Sequence, residues 1–167
     1  MGFFSKPIRT LDDLFVHTLQ DIYYAENQIV KNLPTMVENA ADPELKAAFQ
    51  HHLTETEEQV RRLERVFHMH DQPVKGVTCQ AMDGILAEAK DIISDCDDPE
   101  VCDAAMLSAA QAVEHYEITR YGSLIAYAIQ LGRPDCAAVL KQTLEEEKSA
   151  DQKLTHIAEK GVNQHAA

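Results

Sequence analysis

The 167-residue chain has no tryptophan and only 6 glycines and 6 prolines. So few turn-forming residues argue against a β-rich fold and against low-complexity sequence. No stretch reaches the roughly 18 consecutive apolar residues that a membrane-spanning helix requires. The start, MGFFSKPIRTLDD, lacks an apolar core long enough for a signal peptide. Lys6 also stands where a myristoylation pattern wants Ser or Thr. The four cysteines, Cys79, Cys96, Cys102 and Cys136, form no Cys-x-x-Cys pair. That spacing argues against a zinc ribbon or a rubredoxin-like iron site, and it fits isolated thiols in a reduced cytoplasm. Positive charge is scarce too: 15 Lys and Arg face 28 Asp and Glu, a net charge of −13. Such a field opposes nucleic acid and anionic membrane, draws cations, and also serves solubility.

What the chain does have is helix-length blocks between breakers. The first is predicted over about 10–40, capped by Thr10 or Asp12, with Pro34 expected to kink its last turns. Asp42-Pro43 opens the second, which reaches about His70. DQPVKGVT is a turn, and a shorter helix follows over about 80–94. DCDDPE separates it from a long block over about 100–131. GRPD then stops that block and starts the last one, about 134–160, which Gly161 is expected to end, leaving VNQHAA frayed. This is one all-α domain, 1–167, with its helical core at about 10–160. It is a four-helix bundle with a short extra helix inserted between the second and third long helices. The halves echo each other. Glu26 precedes Pro43 by 17 residues and Glu117 precedes Pro134 by 17, which points to two related hairpins facing each other.

Each long helix should bury an apolar stripe at steps of three and four. Acids interrupt three of these stripes near their midpoints. Glu26 sits among Phe15, Leu19, Ile22, Ile29 and Leu33. Glu114 and Glu117 sit between Leu107 and Leu124, and Glu147 and Asp151 between Leu144 and Leu154. The second helix has its stripe at Leu45, Phe49, Leu53, Thr56, Val60, Leu63 and Phe67. Glu55 lies on its flank, in a row with His52, Gln59 and Arg62, while Glu58 points into solvent. Several uncompensated carboxylates meeting at mid-height would repel strongly, and some would have to be protonated. A pair of divalent metals removes that conflict, and oxygen-rich sites in helix bundles hold iron or manganese in this way. The usual Glu-x-x-His partner is absent after Glu55 and Glu147, and His115 points away from Glu114.

The segments DLFVHTLQDIYYAENQI, AFQHHLTETEEQVRRLE, AAQAVEHYEITRYGSL and TLEEEKSADQKLT, with the inserted CQAMDGILAEA, resemble the bacterial YciF/YciE-like stress-response family, a branch of the ferritin-like superfamily. The likeness runs over about 10–160. It implies a ferritin-like bundle, a homodimer and a cytoplasmic setting. Rubrerythrin-like members of the superfamily also carry two glutamates a turn apart on the third helix. By that resemblance the metal ligands would be Glu26, Glu55, Glu114, Glu117 and Glu147, with Asp151 where a histidine often stands. Glu146 is an alternative to Glu147, because the internal repeat aligns it with Glu55; Glu147 lies on the stripe. In this reading Glu55 and Glu147 bridge two iron or manganese ions, Glu26 and Glu117 are terminal, and Glu114 shifts between roles. Fe(II) oxidation would be coupled to peroxide or oxygen reduction, with Tyr116 and Tyr121 nearby. The alternative is a non-enzymatic dimer that binds a partner, its buried acids paired with His52, Arg62, Arg120 or Lys148.

Overall fold

The computed structural model describes residues 7–167. Four long helices, α1 (Leu11–Asn39), α2 (Pro43–Met69), α4 (Pro99–Gln130) and α5 (Pro134–Ile157), form the bundle, and α3 (Gln80–Ser94) is the short insertion. No strand occurs among the described residues. With 32 residues, α4 is about 48 Å long.

Local chemistry sets the helix ends. Thr10 and Asp13 form a reciprocal capping box on α1. Asp42 and Asp98 each accept the first free amides of a helix that begins with proline. α4 closes in a Schellman turn. Gly132, at φ +69°, donates to the Ile129 carbonyl (3.1 Å), and Arg133 donates to that of Ala128 (2.8 Å). α2 ends the same way, with Asp71 in the left-handed position at φ 52°. α1 runs on through Pro34, which removes one helical hydrogen bond there without ending the helix.

Side-chain contacts give the directions. Asp12 meets His70 at one end of the α1–α2 pair, and Tyr23 meets Glu64 further along it, so these helices are antiparallel. Gln111 reaches Thr155 across the equally antiparallel α4–α5 pair. The C-terminal end of α1 lies against the start of α4, because Ala41 and Asp42 donate to Asp103. Both α2 and α4 therefore run opposite to α1 and parallel to each other. Parallel neighbours in sequence need a long crossover, and the segment carrying α3 supplies it. The crossover is pinned where Val77 donates to the Gln20 carbonyl (3.2 Å) and where the Tyr24 hydroxyl donates to Asp83 (2.9 Å).

The end of the chain corrects the expectation of fraying after Gly161. α5 passes into a π-helical turn, Ala158–Val162, and a last short helix, α6 (Asn163–His165). Both pack on α4, and Val162 is buried there. An apolar anchor at that position outweighs the loss of helical register.

Asp103 ties the α1–α2 turn to α4. It is buried, and its two carboxylate oxygens accept from Ala41 N (2.9 Å) and Asp42 N (2.6 Å). Asp103→Ala leaves both amides unpaired and is expected to cost about 1–3 kcal/mol, read from urea unfolding. Asp103→Asn, which keeps one acceptor, should recover part of that loss.

Candidate metal centre

The apolar stripes of α1 and α4 pack as expected, and a group of polar side chains enters the core in one layer. On α1, Glu26 lies between the buried Ile22 and Ile29. On α4, Glu114 and Glu117 lie between Ala110 and Tyr121, and on α5 Glu147 lies between Leu140 and Leu154. Glu26, Glu117 and Glu147 are 0% exposed and Glu114 is 1% exposed. α2 contributes His52, also buried, with Thr56 and Gln59 beside it. Each long helix thus sends at least one potential ligand inward.

His52, Glu114, Glu117 and Glu147 each place one ligand atom so that all four atoms lie within 4.8 Å of one another. Glu26 joins from the side, carboxylate against carboxylate with Glu117, and Glu114 meets Glu147 in the same fashion. Such contacts hold only with a shared proton or a cation between them. His52 Nε2 is 3.2 Å from Glu114 Oε1, yet neither ring nitrogen is aligned for a hydrogen bond. Both oxygens of Glu117 and of Glu147, and one each of Glu26 and Glu114, are also buried without a hydrogen-bond donor. Buried polar atoms are normally satisfied, and a group of this size calls for an explanation. The Tyr121 hydroxyl donates to Glu26 Oε1 and fixes that carboxylate.

No Lys or Arg forms an ion pair with these four glutamates among the described residues. Arg62 instead grips Glu146 with two bonds of 2.6 and 2.8 Å, Arg120 faces Asp21, and Lys148 pairs with Glu145 at the surface. Burial pushes Glu26 up to about 7 and Glu114 up to about 8. Burial and then the neighbouring carboxylates hold Glu117 and Glu147 well above the ordinary range. Burial pushes His52 down to about 4, so its imidazole is neutral at pH 7 and offers a lone pair. Carboxylates with one neutral imidazole nitrogen suit iron or manganese, and helix bundles build metal sites in their cores from side chains on facing helices.

Two residues expected as ligands are not brought to this layer. Glu55 is partly exposed and pairs with His51 at 3.2 Å. Asp151 lies at the α4–α5 edge, 3.1 Å from Gln111 Nε2 and 3.3 Å from His115 Nε2. Both sit one helical step off the inward row, far enough to reach polar groups at the surface. Of the adjacent pair, Glu147 points into the layer and Glu146 points to Arg62 and Gln59. His52 is the site residue that the sequence offered as a neighbour of Glu55 and as a partner for the buried acids, not as a ligand. Its signal was its place on the same row as Gln59, one turn before Glu55.

A helical bundle with a buried His–carboxylate cluster is the class that fold and site define. The chain belongs to the family described as a domain of unknown function, DUF892, whose model matches residues 10–167. It is 42% identical over 160 residues to Protein YciF of Escherichia coli strain K12, covering 95% of this chain and 96% of YciF. The crystal structure of the E. coli stress protein YciF superposes with a TM-score of 0.89, over 93% of this chain and 99% of that one. YcfI from Rhodopseudomonas palustris, for which a structural role is suggested, is 48% identical. It has the same TM-score of 0.89 and covers 92% of this chain and 98% of its own. A Xanthomonas campestris protein at 21% identity and a TM-score of 0.72 supports the fold alone.

The raised glutamates set a pH dependence for the metal-free protein. Their folded-state values lie above the unfolded one, so the folded state holds extra protons. Their cost is absent below about pH 4.5 and grows as pH rises towards the values of about 7 and 8 for Glu26 and Glu114. With a chelator present, the urea midpoint is expected to fall between pH 5 and pH 8. Glu147→Gln should raise it at pH 8 and leave it nearly unchanged at pH 5.

Proposed function

We propose that this chain is a ferritin-like di-metal carboxylate protein of the bacterial stress response, with iron or manganese as its metal. The observation that carries this reading is the layer of four buried glutamates and a neutral histidine, most of whose ligand atoms have no hydrogen-bond donor; Glu26 Oε1, bonded by Tyr121, is an exception. His52, Glu114, Glu117 and Glu147 would hold one ion, and Glu26 with Glu117 would extend the set to a second. Four glutamates balance the charge of two divalent ions, which answers the repulsion that burial otherwise creates. Iron held there would supply Fe(II) oxidation coupled to peroxide or oxygen reduction. The chain's own part is to hold the carboxylates at fixed height, to keep His52 neutral, and to orient Glu26 through the Tyr121 hydroxyl. Tyr116 lies outside the layer, donating to Asp21 at 2.5 Å and accepting from Arg120 at 2.9 Å. A homodimer in the cytoplasm, as the family resemblance implies, belongs to the same reading.

The second reading is a non-enzymatic helical stress protein that acts by binding a partner. The structural role suggested for the Rhodopseudomonas relative favours it. Against it stands the lack of any Lys or Arg ion pair to the core acids among the described residues.

Anaerobic ferrous loading followed by metal analysis separates the two. About two ions per chain are expected, and fewer than one tightly held ion would sink the metal reading. Glu117→Ala combined with Glu147→Ala should abolish uptake, and His52→Ala should weaken it by at least tenfold. Glu58→Ala should leave it unchanged. Peroxide consumption by the loaded protein then tests the redox step separately.

A further inference from the structure

A cavity of about 250 Å³ adjoins the polar layer on the side of the α1–α2 turn. All five long and inserted helices wall it. Its sides are apolar, with Leu33 of α1, Phe49 of α2, Leu86 of α3 and Leu154 of α5 among them. Its inner end is polar, formed by His52 and Glu114, two residues of the candidate metal centre that carry buried atoms without a hydrogen bond. Its outer rim carries His51, Glu55 and Lys153.

The size is informative. An apolar cavity of about 150 Å³ already accommodates benzene. At about 30 Å³ per water-sized unit, this one has room for roughly eight non-hydrogen atoms. A peroxide or dioxygen molecule needs a small part of that. Natural cores are packed to near crystal density, and an apolar void beside an exposed mouth is the usual form of a small-molecule pocket. The charge is informative too. Glu55 stands at the rim and Glu114 at the inner end, on a chain of net charge −13. With two divalent ions bound, the four core glutamates are balanced, and the lysine lining the rim, Lys153, acts on the carboxylate of Glu55 beside it, so it is opposed rather than free for an anion.

We propose that this cavity is a pocket for a small, neutral, chain-like organic molecule, such as a medium-chain alcohol or aldehyde. Its apolar body lies along Leu33, Phe49 and Leu154, next to His52 and Glu114. The inference deepens the metal-centre reading by naming the class of molecule offered to that centre. The inserted helix gains a role in it, since Leu86 closes one wall.

The test is calorimetric titration of the full chain with 1-heptanol, run both metal-free and after ferrous loading. Saturable binding at one site per chain is expected in both states, with heptanoate at least tenfold weaker. Ala48→Leu and Leu33→Phe, which fill the cavity from α2 and α1, should each weaken heptanol binding at least tenfold. Both should leave metal uptake unchanged and keep or raise the melting temperature, and two positions guard against one variant misfolding. Glu147→Gln should lose metal uptake and keep heptanol binding. No saturable binding by the wild type, or binding that survives both filling variants, overturns the pocket. Heptanoate binding as tightly as heptanol overturns the neutral class. Heptanol binding without metal uptake would sink the metal reading and leave the pocket standing.

Discussion

Four carboxylates buried at one height of a helix bundle cannot all be charged without a compensating cation. Two like charges about 4 Å apart repel by about 4 kcal/mol even at an effective dielectric of 20, and burial adds a desolvation cost for each. The rest of this structure is arranged around that constraint. Glu26 touches Glu117 and Glu114 touches Glu147, so each pair needs a proton or a metal between its members. The one nitrogen nearby belongs to a histidine that burial keeps neutral, so it cannot supply the missing charge. Arg62, whose charge reaches Glu26 only through space, is held by Glu146 in a two-bond pair. A protein that resolved the conflict with its own cations would have turned that arginine inward.

The fold was legible because its signals were redundant. Asp-Pro at 42–43 and at 98–99, and the glycine of GRPD, each combine a stop, a cap and a first helical residue within a few positions, and the helices begin and end there. The antiparallel hairpins follow from short turns. What periodicity could not supply was the end of the chain. Gly161 is a helix breaker by propensity, but Val162 finds an apolar place against α4, and tertiary packing carries the helix past it.

The site was legible wherever an acid replaced an apolar residue in an otherwise regular stripe. That pattern picked out Glu26, Glu114, Glu117 and Glu147. It failed on α2, whose inner row is itself polar. An apolar stripe ranks Leu53 and Val60 as buried, yet both are only half-buried, and His52 and Gln59 turn inward beside the expected Thr56. A row of polar residues facing a polar layer has no hydrophobic signal to find. Asp151 was misplaced for a different reason. Four residues after Glu147, it is rotated by about 40° at 3.6 residues per turn. That is enough to bring it to Gln111 and His115 on α4 rather than to the core.

The internal repeat explains why the two flanks of the site differ. An offset of 91 residues relates Glu26 to Glu117, and these two meet in the core. The same offset relates Arg62 to Lys153 and Glu146 to Glu55. Arg62 and Glu146 are locked together, and Gln59 adds a third bond of 3.1 Å, so that flank is shut. On the equivalent flank Glu55 bonds to His51, and Lys153 acts on it only through space. A planar guanidinium binds a carboxylate with two aligned bonds, whereas a lysine offers a single mobile charge. The looser flank is the one on which the apolar cavity opens. A symmetric scaffold has thus become a one-sided site: the arginine seals the back, and the lysine leaves the front accessible.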